Sequence, residues 1–478
     1  MKNILIIHRW LGVVACLAVL MFAGSGILHP VMSRFQPQPA QFAAPSVDVP
    51  ASSLSLRAAL EKNQIDRFSA ASLVQLPDVA VYRVQDQRGV HYFRVDDGHP
   101  VENGERIHAE FLARHFLGDK NSSIALIAEQ KKFDDDYVFV NRLLPAWRID
   151  FARDDGMRVY VDTAGNRLAT LTDSNKRIFQ VYFRALHDFD FLEEHNTLRL
   201  AIMLFLLFAA FATAVAGVVM YVRIGRAAQR LKNLPARRWH RRLSLAVAVV
   251  TFSFVISGGW HLLQSQVEFV APENPHAEFL TSELGNAVTS QAFVLLRAND
   301  KVCYRQAAAV KRSAEHEHHH PDGVMHTSPA PACLDTETLQ PIVDADQKVA
   351  EQLARYYSKH ESAAENQREI ESAELVTKFG GEYGFINKRL PVWKIQFKGD
   401  STRWYVETAS GALALRADDA DAREGWVFST FHKARFIQDP YKNLRDGFLM
   451  ASAALMMIVS LLGLWLFVKR LRPVANTD

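Results

Sequence analysis

Four stretches of this chain, Trp10–Leu28, Leu200–Val222, Leu243–Leu263 and Phe448–Val468, contain no Asp, Glu, Lys or Arg. Each is long enough to cross a bilayer, which takes about 20 mostly apolar residues. Hydrocarbon offers a backbone no partners, so such stretches must be helical. The chain is therefore expected to form an α-helical membrane bundle of four spans. Two long polar segments, 33–195 and 265–443, are left outside it. Lys2 and Arg9 before the first stretch resemble the start of a signal peptide, but no small-x-small cleavage site follows. The third stretch repeats the layout of the first, which favours a retained span.

Basic residues set the expected orientation. Arg223, Arg226, Arg230, Lys232, Arg237, Arg238, Arg241 and Arg242 crowd one short connector without an acid. Lys469, Arg470 and Arg472 follow the last span, and Lys2 and Arg9 precede the first. Alternating spans put all three groups on one side, which the positive-inside rule makes cytoplasmic. The expected layout is span 1–32, domain 33–195, span 196–223, connector 224–239, span 240–264, domain 265–443, span 444–470 and tail 471–478. This describes a multi-pass inner-membrane protein with both termini in the cytoplasm and both domains in the periplasm. A net charge of +3 with no basic stripe in a soluble domain argues against a nucleic-acid partner. Cys303 and Cys333 fall in the second outer segment, where an oxidising compartment favours a disulfide across a hairpin with a long loop.

The chain is a duplication. His8-Arg9-Trp10-Leu11 opens the first span and His29 stands 21 residues after His8; His240-Arg241-Arg242-Leu243 opens the third, and His261 stands 21 residues after His240. Asn141 to Trp147 (NRLLPAW) parallels Asn387 to Trp393 (NKRLPVW). Tyr160-Val-Asp-Thr-Ala164 parallels Tyr405-Val-Glu-Thr-Ala409, and His187 parallels His432. Each copy is span, outer domain, span, so both enter the membrane the same way round. Such parallel repeats are related by a pseudo-two-fold axis along the membrane normal. The outer domains read as α+β. Leu56–Asn63 and Ile107–Phe116 have helical spacing, while Ala80–Val84, Tyr92–Val95, Ala146–Phe151 and Arg158–Val161 read as strands. A helix followed by antiparallel strands is expected about twice per outer segment.

On these features the chain resembles the PepSY-associated transmembrane proteins of bacterial inner membranes. The resemblance rests on His8-Arg9-Trp10-Leu11-Gly12, Leu186-His187, the connector ending in Trp239-His240, and the elements Tyr160 to Gly165 and Tyr405 to Gly411. It implies PepSY-like outer domains. It also implies membership of a family that includes haem-containing reductases acting on periplasmic ferric iron or ferric siderophores.

Ionisable residues in or beside spans mark function by default, and imidazole suits iron. At ~1.5 Å rise per residue, His8 and His29 stand about 31 Å apart and cannot bind one iron. They can serve haems near opposite faces. His8 and His240 are equivalent and could ligate one haem b on the axis. At the outer end His29, His187, His261 and His432 could pair within each copy or across the axis, giving two haems or three. Gly12, Gly24, Gly26, Gly217, Gly258, Gly259 and Gly463 would let a flat macrocycle approach, although such glycines more often serve helix packing. No catalytic residue beyond the haem ligands is expected.

Other features carry less. His316, His318, His319 and His320, clustered between the two outer cysteines, could concentrate metal but read as a solvated loop. Their formal His-Glu-x-x-His match runs into Pro321-Asp322-Gly323 and is taken as an accident of composition. Asp134 to Asp136 read as a polar turn, and Trp147 and Trp393 as strand residues beside each core. No dinucleotide or phosphate-loop fingerprint appears, so an electron donor must be separate: a cytoplasmic reductase, reduced flavin or membrane quinol. The expectation is transmembrane electron transfer to ferric iron or a ferric siderophore. The alternatives are a membrane-anchored binding or regulatory module without redox activity, and a siderophore or metal uptake component.

Overall fold

The computed structural model describes residues 2–224, 235–266, 269–275, 277–307, 330–361, 368–437 and 441–471. His316, His318, His319 and His320 lie outside them. In chain order the helices are α1 (Lys2–Phe35), α2 (Leu56–Lys62), α3 (Gly104–Leu117), α4 (Ser174–Phe183), α5 (Asn196–Ile224), α6 (Pro235–Gln264), α7 (Ala345–Glu361), α8 (Asp419–Val427) and α9 (Lys442–Leu471). The strands of the first outer segment are β1 (Arg67–Phe68), β2 (Ala70–Gln75), β3 (Ala80–Asp86), β4 (Gly89–Arg94), β5 (Ile124–Gln130), β6 (Ala146–Phe151), β7 (Arg158–Asp162) and β8 (Arg167–Thr172). Those of the second are β9 (Phe279–Leu280), β10 (Phe293–Ala298), β11 (Lys301–Ala307), β12 (Pro331–Asp335), β13 (Ile370–Val376), β14 (Val392–Phe397), β15 (Arg403–Glu407) and β16 (Ala412–Ala417).

Two compact units form. One comprises Met1–Gln36, Asn175–Glu268 and Ala420–Asp478; the other comprises Pro37–Ser174 and Phe269–Asp419. In the first, four helical segments among the described residues are long and apolar enough to cross a membrane. Helix α1 packs on α5 and α9, and α6 packs on the same two, so the ring order is α1, α5, α6, α9. Equivalent helices therefore stand at opposite corners, as a two-fold repeat demands. The inward cores are small: Ala18, Met203, Leu206 and Leu262 in one cluster, and Val247, Met456 and Val459 in another. Leu17, Phe205, Phe208, Val249, Ile256 and Ile458 point outward and exposed. An apolar exterior of that extent belongs against lipid, and the protein is membrane-embedded. Helices α4 and α8 each run on into a π-helical turn, Arg184–Asp188 and Phe428–His432. Such insertions are frequent at functional sites because they re-aim one side chain without ending the helix.

The second unit is α+β. Strands β5 to β8 and β13 to β16 form two four-stranded antiparallel meanders, and β2 to β4 and β10 to β12 join edge to edge in one six-stranded sheet. The junction is antiparallel, with Val294 opposite Ser72. Ala109, Leu112, Ala113 and Phe116 recur at helical spacing on α3 and bury against Ile149, Val159 and Leu171 of the first meander. Ala350, Leu353, Ala354 and Tyr357 on α7 do the same against Ile395, Phe397 and Val406 of the second. Trp147 and Trp393 sit partly buried beside these cores. Asp134 accepts the backbone N–H groups of Asp136 and Tyr137 and so closes a turn. One expectation needs correction. The meander β10 to β12 is not preceded by an α-helix among the described residues; a single 3-10 turn, Thr281–Glu283, stands where α2 stands in the first segment. Nothing in the structure explains why the second segment keeps only this single turn.

The acid in the first turn of each sheet-covering helix anchors a buried network. Glu105 of α3 takes Arg83 of β3 at 3.3 Å and the Tyr92 hydroxyl at 2.8 Å, and also accepts from Thr163. Asp346 of α7 takes Arg305 of β11 at 2.7 Å, Thr408 at 2.7 Å and the Trp393 indole N–H at 2.6 Å. An anion at a helix N-terminus also suits the helix dipole. Beside Asp346, Cys303 and Cys333 join β11 to β12 in a disulfide with Cα atoms 5.5 Å apart.

Candidate functional site

The helical unit gathers four of the six candidate histidines into two pairs. His8 and His240 lie with ring centres 6.5 Å apart at one end of the bundle. His187 and His432, carried by the two π-helical turns, lie 6.3 Å apart at the other. Both pairs form across the pseudo-two-fold, between equivalent residues. His29 and His261 belong to neither. The His29 ring lies 6.1 Å from Phe183, and that of His261 lies 4.0 Å from Phe428.

The hydrogen bonds fix which nitrogen each imidazole offers. His8 Nδ1 is 3.1 Å from the Thr213 carbonyl, and His240 Nδ1 is 3.1 Å from the Val459 carbonyl. A carbonyl only accepts, so Nδ1 carries the proton in both rings and Nε2 keeps its lone pair. At the other pair the partner is a hydroxyl. Ser25 donates to the Met21 carbonyl at 2.7 Å, and Ser257 donates to the Ser253 carbonyl at 2.6 Å. The Phe22 and Phe254 carbonyls also take a hydrogen bond from the His187 and His432 rings, and with a carbonyl as acceptor Nδ1 carries the proton, so each serine accepts from it, at 2.9 Å and 3.2 Å. All four histidines thus present Nε2 as an electron-pair donor, oriented by a second partner, which is how metal-ligating imidazoles are usually held.

Space around the rings depends on glycine. A Cβ at Gly463 would meet His240 Cε1 at 3.0 Å, and one at Gly258 would meet His432 Cε1 at 3.2 Å. The pair separations also suit a shared metal. An imidazole nitrogen sits about 2.0–2.1 Å from a bound zinc; a similar length to iron puts two opposed ring centres roughly 6.3 Å apart. The donor chemistry, tautomers and spacing fit a bis-imidazole group such as haem b at each end.

Charge differs between the ends. Arg9 lies within electrostatic reach of Arg237 and Arg470, beside the His8–His240 pair, and Arg241 donates to the Tyr221 carbonyl while covering its ring. At the opposite end His261 Nδ1 lies 2.8 Å from Glu424, and Gln264 donates to Asp421.

Sequence reasoning missed the serines, the two carbonyl acceptors, Phe183, Phe428 and Glu424. Ser25 and Ser257 were within reach of it, since the 232-residue offset relating His8 to His240 also relates these two. No curated protein matches the chain. The model of the PepSY-associated TM region matches residues 5–470, nearly the whole length, and the chain belongs to that family.

Proposed function

We propose that this chain is a haem b-containing electron-transfer protein of the bacterial inner membrane, a reductase of periplasmic ferric iron or ferric siderophores. The observation that carries the reading is the pair of symmetric histidine pairs, each with Nε2 left free by a defined Nδ1 partner. On this reading His8 and His240 hold one group at the cytoplasmic end, and His187 and His432 hold a second at the periplasmic end. Haem bound there supplies a one-electron couple whose potential follows its axial ligands and burial. His8 and Ser25, the partner of His187, are about 25 Å apart along α1 at ~1.5 Å per residue, so the two pairs divide the bilayer between them. The lipid-facing side chains keep water and ions out of this route. Electrons enter from a separate cytoplasmic reductase, reduced flavin or quinol, and the PepSY-like domains face the acceptor. Reduction weakens a siderophore's hold because hard oxygen donors prefer Fe(III) to Fe(II).

The test is the visible spectrum of the full chain purified in detergent from haem-replete cells. A red protein is expected, its Soret band shifting with dithionite and returning on addition of ferric citrate or a ferric hydroxamate. A colourless protein would end the haem reading and leave a membrane-anchored binding module. A red protein that ferric chelates do not reoxidise would remain a cytochrome without the proposed substrate.

A further inference from the structure

His261 is set apart from the two pairs yet joined to one of them. Its ring stacks on Phe428 at 4.0 Å and 21°, and Phe428 stacks on His432 at 4.7 Å and 17°. An exposed imidazole, a phenyl ring and a partly buried imidazole thus form one face-to-face column. The side chain of His261 is 47% exposed, and that of its partner Glu424 only 13%. Glu424 accepts from Nδ1 at 2.8 Å, which leaves Nε2 as the electron-pair donor. A carboxylate behind an imidazole is the arrangement that orients metal-ligating histidines and raises their basicity. The offset that aligns His187 with His432 places Phe179 where Glu424 stands, so the carboxylate is a feature of the second copy.

We infer that His261, oriented by Glu424, is where acceptor iron meets the protein, by direct coordination to Nε2; this rests on the reductase reading above. A ferric chelate exchanges one bound water or one chelator oxygen for Nε2: an Fe–N bond forms as an Fe–O bond breaks, and a freed anionic arm takes its proton from water. One electron from the reduced protein then converts Fe(III) to Fe(II). Imidazole suits the ferrous product better than the hard oxygens it displaces. The acceptor class is therefore a ferric chelate with an exchangeable position, such as ferric citrate, rather than a substitution-inert complex.

The experiment compares reoxidation of the dithionite-reduced full chain by ferric citrate and by ferricyanide, which exchanges no ligand. His261→Ala is expected to keep the wild-type Soret band and the wild-type ferricyanide rate while reacting roughly tenfold or more slowly with ferric citrate. Glu424→Gln, which keeps an acceptor for Nδ1 but loses the charge, is expected to slow ferric citrate alone, by a smaller factor. Co(II) is expected to compete with ferric citrate in the wild type and not in His261→Ala. Loss of haem absorbance in His261→Ala would make it a haem ligand and overturn the inference. Equal slowing with both oxidants, or unchanged ferric citrate rates in both variants, would overturn it too. A colourless wild type would instead remove the reductase reading itself.

Discussion

His187 and His432 approach to 6.3 Å although 245 residues separate them, because two π-helical turns aim them at one another across the pseudo-two-fold. Neither ring pairs with the histidine one helical span away in its own copy. This geometry makes single substitutions at the four paired histidines separable from substitutions at His29 and His261. His8→Ala or His240→Ala is expected to remove about half of the Soret absorbance, and His187→Ala or His432→Ala the other half, since each pair would lose one of two axial ligands. Pyridine haemochrome assays per mole of protein provide the count. His29→Ala retaining only half the haem would refute the pairing.

The serines behind the His187–His432 pair invite a subtler change. Ser25→Ala leaves His187 Nδ1 without the acceptor it meets at 2.9 Å. Losing the hydrogen bond that orients a ligating imidazole typically costs roughly 10–100-fold in metal affinity or activity. Haem transfer to apomyoglobin should therefore run faster from Ser25→Ala than from wild type, for the outer site alone.

Gly463 tests the His8–His240 pair by volume. Its missing Cβ would stand 3.0 Å from His240 Cε1, tighter than ordinary contact. Gly463→Leu should displace the ring and give the haem content of His240→Ala, whereas Gly447→Leu, where a Cβ meets nothing within 4 Å, should leave it unchanged.

Asp346 holds Arg305, Thr408 and Trp393 together, and all four lie at the junction of α7 with its sheet. Asp346→Ala strands a buried guanidinium whose Nη2 already lacks a partner. Breaking such a pair typically costs about 3–5 kcal/mol, against about 0–1 kcal/mol for the exposed Lys398–Glu369 pair. Thermal unfolding of Asp346→Ala and Glu369→Ala should differ accordingly.

His108 makes the α+β unit sensitive to acid. It is fully buried between Tyr92 and Asn166, and burial pushes its pKa down to about 4. The unfolded chain protonates this imidazole near pH 6.5, so stability is complete above that pH and falls as the pH drops towards 4, by up to about 3 kcal/mol. Protection factors of the α3 amides, corrected for the intrinsic exchange rate at each pH, should fall between pH 6.5 and 4.5, and His108→Gln should flatten that dependence.

The spans were legible because hydrocarbon admits so few solutions, and the duplication because equal offsets repeat at His8, His240, His29 and His261. Strands β6 and β7 were legible from their β-branched and aromatic residues between turn residues, although β7 is buried throughout Val159 to Asp162 rather than on one face. What stayed hidden was the choice of partners at the outer end. That depends on the extra residue each π-helical turn inserts, which rotates His187 and His432 relative to a regular helix, and no local residue pattern announces it. The single turn at Thr281–Glu283 escaped because a repeat suggests equal copies, and here the second copy departs from the first.

The β2–β10 junction carries a consequence for ancestry. Two equivalent edge strands pair antiparallel with each other, Ser72 facing Val294, to complete one continuous sheet. A self-complementary contact of that kind is what a two-fold symmetric homodimer makes. A half-length chain of this kind would extend that sheet across its edge, and complete each histidine pair, only with a second molecule. Because both halves are joined in one chain, the two sides of that contact need not stay identical, and Glu424 stands opposite Phe179 at equivalent positions.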